Sequence, residues 1–341
     1  MKVIHDPRNA RHDPAFFLVR GVTKPSAEKP ERAQRLLEAA ERQGHEILTA
    51  ESFGPGPRAA VHSPDYLRFL ETAWAEWQTL GDSSAEIIAN IHPAQKPASY
   101  PRHLVGRAGW HMADTACPLG EHTWEAACGS ADVATHGARL LLEGEGQAYA
   151  LCRPPGHHAY ADMAGGFCFL NNSAIAAQEL RRAHERVAIL DVDLHHGNGT
   201  QGIFWRRRDV LTISIHADPA DFYPFFWGHA HERGEGEGEG YNLNLPLAIG
   251  SGNELFLEAL EQALAVIRAY APGALVVALG LDAFEGDPLA GLAVTTPGFG
   301  QIAARIAREG LPTLLVQEGG YLAPELGQNL EAFLAGFEEA R

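Results

Sequence analysis

An α/β fold, with a multi-stranded and mostly parallel sheet between helix layers, is predicted by three features of the sequence. Strand and helix patterns alternate along most of the chain. The strand segments are runs of Val, Ile and Leu, which suit strands buried on both faces. No long linker and no internal repeat breaks the alternation, so the 341 residues are expected to form a single domain.

The elements follow in order. Lys2 to His5 reads as a short strand. Residues 30–43 read as a helix: Pro30 suits the first turn, Leu36, Leu37 and Ala40 share a face, and Gly44 is the stop. Residues 64–80 repeat that form, with Ser63 before Pro64. From about 81 to 122 the sequence holds several prolines and no sustained period. It is too long for a plain connector and is expected to be an inserted functional or dimerisation arm. A helix at 123–143 follows, then strands at 148–153, 187–193, 210–216, 274–281 and 313–318. Helices at 172–182, 254–270, 297–309 and 324–337 fill the gaps. The low-complexity stretch at 232–240 (ERGEGEGEG) carries Glu235, Glu237 and Glu239 and no Lys, so it repels phosphate and is expected to be a flexible surface loop.

Composition narrows the function classes. The chain is 45% hydrophobic and 21% charged, with a formal net charge of -16. That field disfavours nucleic acid and favours cationic ligands, though ordinary solubility charge looks the same. No apolar run approaches the roughly 20 residues that span a bilayer, so no membrane role is expected. The charged N-terminus lacks a signal-peptide core, so the cytoplasm is the expected compartment. Cys117, Cys128, Cys152 and Cys168 form no Cys-x-x-Cys pair and read as reduced, with Cys152 and Cys168 as packing residues.

In parallel sheets, ligands bind beyond the carboxyl ends of the strands. The residues there are Arg153-Pro-Pro-Gly-His157-His158, Asp191-Val-Asp193-Leu-His195-His196-Gly-Asn198, Leu281-Asp282 and Glu318-Gly-Gly-Tyr321. Side chains two apart on a strand share a face, which predicts that Asp193 and His195 project together with Asp191 in line behind. With Asp282 they make a set of one nitrogen and two carboxylates, which leaves a coordination position open, as in catalytic zinc sites. The alternative is that the aspartates cap helices and His195 is a core residue. His157 and His158 sit on a rigid turn that suits proton transfer. Asp191 is the expected partner of His157 and Asn198 that of His158, which makes His157 the cation and His158 the neutral base. A second pair of metal ligands is the other reading of this tandem. Tyr321, after two glycines, is placed to donate to an oxyanion.

The motifs RPPGHH at 153–158, GGFCFLNN at 165–172, DVDLHHGNGT at 191–200, LGLDAFEGDPL at 279–289 and EGGY at 318–321 resemble the histone deacetylase family in order and spacing across nearly the whole chain. The short length and the arm look most like its bacterial acetylpolyamine amidohydrolases. The resemblance implies the arginase/deacetylase fold and Zn2+ on Asp193, His195 and Asp282, with Fe2+ or Co2+ as possible replacements. It implies His157, His158 and Tyr321 as catalytic groups supported by Asp191 and Asn198. It gives Gly166, Phe167 and Tyr223 as tunnel walls, Asp13 as an acidic mouth residue and Arg32 as lining an inner cavity. It also implies K+ near Asp191, His195 and Ser214, a small acetylated amine as substrate, and a homodimer. Val105 and Ala116 stand where the arm of the polyamine enzymes is expected to be acidic.

The rival readings are a deacetylase of acetyl-lysine in proteins, an arginase-like two-manganese hydrolase and a non-catalytic binding protein. The second needs a carboxylate two residues after His195, where Gly197 stands. The third predicts a missing ligand or tyrosine, and the full set is present.

Overall fold

The computed structural model describes residues 1–93 and 99–341; the part of the arm at 94–98 lies outside the described residues. In chain order the elements are β1 (Lys2–His5), β2 (Phe16–Val19), β3 (Val22–Pro25), α1 (Pro30–Arg42), β4 (Glu46–Thr49), α2 (Gly56–Ala59), α3 (Pro64–Trp77), α4 (Leu104–His111) and α5 (Thr123–Leu142). They continue with β5 (Gln147–Ala150), α6 (Asn172–Leu180), β6 (Val187–Asp191), α7 (Asn198–Phe204), β7 (Val210–Ala217) and β8 (Asn242–Leu247). The last are α8 (Asn253–Tyr270), β9 (Ala274–Leu279), α9 (Thr296–Ala307), β10 (Thr313–Gln317) and α10 (Leu326–Ala340).

Eight strands make one sheet in the order β4-β1-β5-β10-β9-β6-β7-β8. Every described pairing in it is parallel, so the sheet is more regular than the sequence suggests. Alternate residues of β9 feed opposite layers. Leu275 and Val277 join Leu36, Phe256, Phe299 and Phe333 on the side of α1, α8, α9 and α10. Ala274 and Val276 face Val133, Ala134 and Ala174 of α5 and α6. A third apolar cluster, with Tyr66, Phe69, Leu104 and Ile175, seats α3 and the arm.

The arm departs from expectation. It contains the helix α4, capped by the His103 ring accepting from Val105 N–H, and a bridge between Ile87 and Leu119. Flanking prolines and the short length of α4 hide its period in the sequence. The hairpin β2–β3 and the edge strand β4 were also not expected; each strand has four residues, none buried, so alternation leaves little trace. The 232–240 stretch is only partly a surface loop, because Glu232 and Gly238 are buried. A Cβ on Gly238 would lie 2.3 Å from the Trp205 carbonyl oxygen, so that glycine is a packing requirement.

Candidate active site

Four adjacent central strands, β5, β10, β9 and β6, deliver the site from their carboxyl ends. β6 ends at Asp191, so Asp193 and His195 are not strand residues, and alternation along a strand is not what aligns them. Backbone hydrogen bonding does it instead. His195 N–H donates to Asp193 Oδ1 at 2.8 Å, and Gly319 N–H to Asp193 Oδ2 at 2.8 Å. Leu194 N–H donates to Asp282 Oδ1 at 3.0 Å. These donors orient both carboxylates before any ligand binds.

The predicted metal set converges. One ligand atom from each of Asp193, His195 and Asp282 lies within 4.8 Å of the others, and all three residues are buried. His195 Nδ1 stands 3.2 Å from Asp193 Oδ1 and 3.1 Å from Asp282 Oδ2. Two buried carboxylates facing one imidazole nitrogen concentrate negative charge in a low-dielectric place, which calls for a cation. The backbone is shaped to the set. A Cβ on Gly319 would come within 2.2 Å of Asp282 Oδ2 and 2.5 Å of Asp193 Oδ2, and one on Gly280 within 2.2 Å of Asp193 Oδ2. The residues therefore fit a divalent ion held by one nitrogen and two oxygens.

A second cluster, His157, Cys168 and Glu318, is equally close and buried. Its donors are already engaged. Glu318 accepts from Gly156 N–H at 2.6 Å, His157 N–H at 3.0 Å and the Ser173 hydroxyl at 2.7 Å. Burial also pushes the Cys168 thiol well up, against the thiolate a metal needs. It is a structural knot that holds the histidine turn.

The histidine tandem has the expected partners. His157 Nδ1 lies 2.9 Å from Asp191 Oδ2, and His158 Nδ1 lies 2.6 Å from Asn198 Oδ1. Burial opposes the charged form of His157, but the Asp193 and Asp191 carboxylates outweigh it and raise its pKa to about 10. Burial, then the cationic His157 beside it, hold His158 well below its ordinary value. One ring is thus a stored proton and the other a base. Gly197 fits beneath: a Cβ there would meet Asp191 Oδ2 at 2.3 Å, so no larger side chain is accommodated.

Tyr321 follows Gly319 and Gly320, with the Arg32 guanidinium 4.6 Å from its ring centroid. Burial holds its phenol well above the usual range, so it remains a proton donor. Arg32 is itself buried, pairing with Glu28 at 2.6 Å and donating to the Glu318 carbonyl at 2.7 Å. Glu28 also binds Arg153 at 2.8 Å. The sequence reading did not select Glu28; its place four residues before Arg32 was the available signal.

The residues expected to wall a tunnel lie against the histidine and tyrosine groups. Phe167 has a positive φ of 69° and sets its ring edge-on to Tyr321 at 5.7 Å. Tyr223 sets its ring edge-on to His158 at 5.0 Å. Gly166, at φ 51°, lies where a Cβ would strike His158 Cδ2 at 2.4 Å. Phe222, not selected from sequence, stacks on His195 at 5.4 Å. Asp13 takes no part in this cluster; it is exposed and paired with Lys29 at 3.1 Å.

The family described as Histone deacetylase domain matches residues 26–337. An acetylpolyamine amidohydrolase of Burkholderia pseudomallei (strain 1710b) is 48% identical, with 98% of this chain and 98% of that protein covered. Acetylpolyamine amidohydrolase 1 of Pseudomonas aeruginosa is 45% identical over 95% of this chain and 94% of its own length. The crystal structure of acetylpolyamine aminohydrolase from Burkholderia pseudomallei superposes with a TM-score of 0.97 at 48% identity, covering 100% of this chain and 99% of that one.

Proposed function

The chain belongs to the histone deacetylase family, with the arginase/deacetylase fold, and from that membership we propose that it is a zinc-dependent amidohydrolase that removes acetyl groups from acetylated polyamines or related small N-acetyl amines. The observation that carries the chemistry is the convergence of Asp193, His195 and Asp282 beside a paired cationic and neutral histidine. The substrate class is supported by relatives named for acetylpolyamines and by the net charge of -16, which favours cationic ligands.

A divalent ion held by Asp193, His195 and Asp282 supplies Lewis acidity to the acetyl carbonyl and the attacking water. The chain's own groups do the rest. His158, with its Nδ1 proton held by Asn198, offers Nε2 to take the proton of the attacking water. Tyr321 donates its hydroxyl to the carbonyl oxygen as negative charge builds there. His157, kept cationic by Asp191 and Asp193, returns a proton to the leaving nitrogen. Phe167 and Tyr223 exclude water and bulky branched chains from the approach.

The proposal treats residues 1–341 as one cytoplasmic domain that dimerises through the arm, where Ile91 and Tyr100 are large exposed hydrophobics. No described helix is long and apolar enough to cross a membrane. It keeps K+ near Asp191, His195 and Ser214; Ser214 lies beside Asp191 in the β6–β7 register.

The test is acetate release from N-acetylputrescine against an acetyl-lysine peptide, with zinc supplied. The proposal expects faster turnover of the small amine. Preference for the peptide would move the substrate to proteins, and no release from either would defeat the reading.

A further inference from the structure

Asp114 belongs to the arm and lies outside every motif that identifies the family, yet its carboxylate touches both walls of the tunnel. The Tyr223 hydroxyl donates to Asp114 Oδ2 at 2.6 Å. Gly166 N–H donates to the same oxygen at 3.1 Å, and Ala116 N–H donates to Oδ1 at 2.8 Å. Backbone bonds zip the arm to one wall: Ala113 N–H to the Ala164 carbonyl at 2.7 Å and Phe167 N–H to the Ala116 carbonyl at 3.1 Å. The Asp114 side chain carries the connection across to the opposite wall, which is Tyr223.

The contact point is close to the reacting groups. A Cβ on Gly166 would stand 2.9 Å from the Tyr223 hydroxyl and 2.4 Å from His158 Cδ2, so the phenol tip, the glycine and the edge of the base meet there. The Tyr223 ring is also edge-on to His195 at 6.0 Å. A buried hydroxyl that loses its acceptor must find another or move, and here any movement changes the bore.

We propose that Asp114 is a positioning residue for deacetylation: through Tyr223 and Gly166 it fixes the bore through which the acyl-amine chain reaches His158 and Tyr321, and it couples the arm to that bore. The kinetic half of this rests on the deacetylase reading; the structural half rests on the geometry alone.

The test uses the full chain and the variants Asp114→Ala, Asp114→Asn, Tyr223→Phe and the Asp114→Ala/Tyr223→Phe pair. kcat and KM are measured for N-acetylputrescine and for N-pentylacetamide, its neutral counterpart. Amide hydrogen exchange is followed in the peptide holding Gly166. Asp114→Ala is expected to lower kcat/KM about tenfold on both substrates, as for an orphaned buried hydroxyl. Tyr223→Phe should match it, and the pair should be no worse than either. Gly166 should exchange faster in Asp114→Ala, while Asp114→Asn, which keeps one oxygen for Tyr223 and Gly166 but turns its NH2 on Ala116 N–H, recovers part of both readouts. Unchanged kinetics with unchanged Gly166 exchange overturn the inference. A loss confined to the cationic substrate, in both Asp114 variants, also overturns it, because Asp114 would then read charge. A wild-type chain inactive on both amides counts against the deacetylase reading, and Gly166 exchange still decides whether the clamp exists.

Discussion

In the proposed reaction, single residues carry the chemistry, each in a buried setting that fixes its protonation. Tyr321 is the sharpest case. Burial keeps its phenol protonated, and in the proposed reaction that hydroxyl is the oxyanion donor. Tyr321→Phe removes that donor and leaves the ring packing. It should lower kcat by a hundredfold or more, about 3 kcal/mol, with KM nearly unchanged. Steady-state acetate release checks this, and near-normal kcat would refute the role. His62 makes a different prediction, about stability. Its Nε2 accepts from Asn171 N–H at 2.9 Å and its Nδ1–H donates to the Tyr160 carbonyl at 3.0 Å, so the folded ring has no place for a second proton. Burial holds its pKa down to about 4. The unfolded chain takes up that proton near pH 6.5 and the folded chain does not. Stability is therefore intact above about 6.5 and declines as pH falls toward 4, by about 1.4 kcal/mol per pH unit for this group. Urea midpoints at pH 7 and 5 should differ more for the wild type than for His62→Gln; equal shifts would contradict the assignment.

At the scale of elements, the site depends on where strands stop. The residues at and just beyond the ends of β5, β6, β9 and β10 were legible from sequence because each apolar run gives way within a few residues to charged or polar ones, Arg153, Asp191, Asp282 and Glu318. The cause of their alignment was not. Strand periodicity predicts that Asp193 and His195 project together, but β6 has already ended, and the backbone N–H groups of Leu194, His195 and Gly319 orient the Asp193 and Asp282 carboxylates instead. Gly319 tests this. Its φ is not in the left-handed region, so alanine is allowed by the backbone and excluded only by the carboxylates 2.2 and 2.5 Å from its Cβ. Gly319→Ala should keep wild-type circular dichroism and bind zinc at least about tenfold more weakly, as second-sphere changes do. Equal affinity in equilibrium dialysis would show that the glycine does not shape the site. The helix α4, the hairpin β2–β3 and Asp114 were illegible for a common reason. Short, half-exposed segments between prolines have no period to read, and their roles come from contacts far away in sequence.

Across the whole molecule, a sheet whose described pairings are all parallel gathers groups from residues 157 to 321 at the carboxyl ends of its central strands, and glycines and buried ion pairs hold the backbone close around them. The fold and the clustering of Asp193, His195 and Asp282 were readable because both are encoded in strands and their termini. The arm's hold on the tunnel was not, because it is a tertiary contact between unpatterned segments. The central claim is that Asp193, His195 and Asp282 hold one divalent ion on which hydrolysis depends. Metal content and acetate release, measured on the same samples of the wild type and Asp282→Asn, test it most directly. One divalent ion per wild-type chain, with ion and acetate release lost together in Asp282→Asn, is the predicted result. Full acetate release from a chain that holds no divalent ion would contradict it.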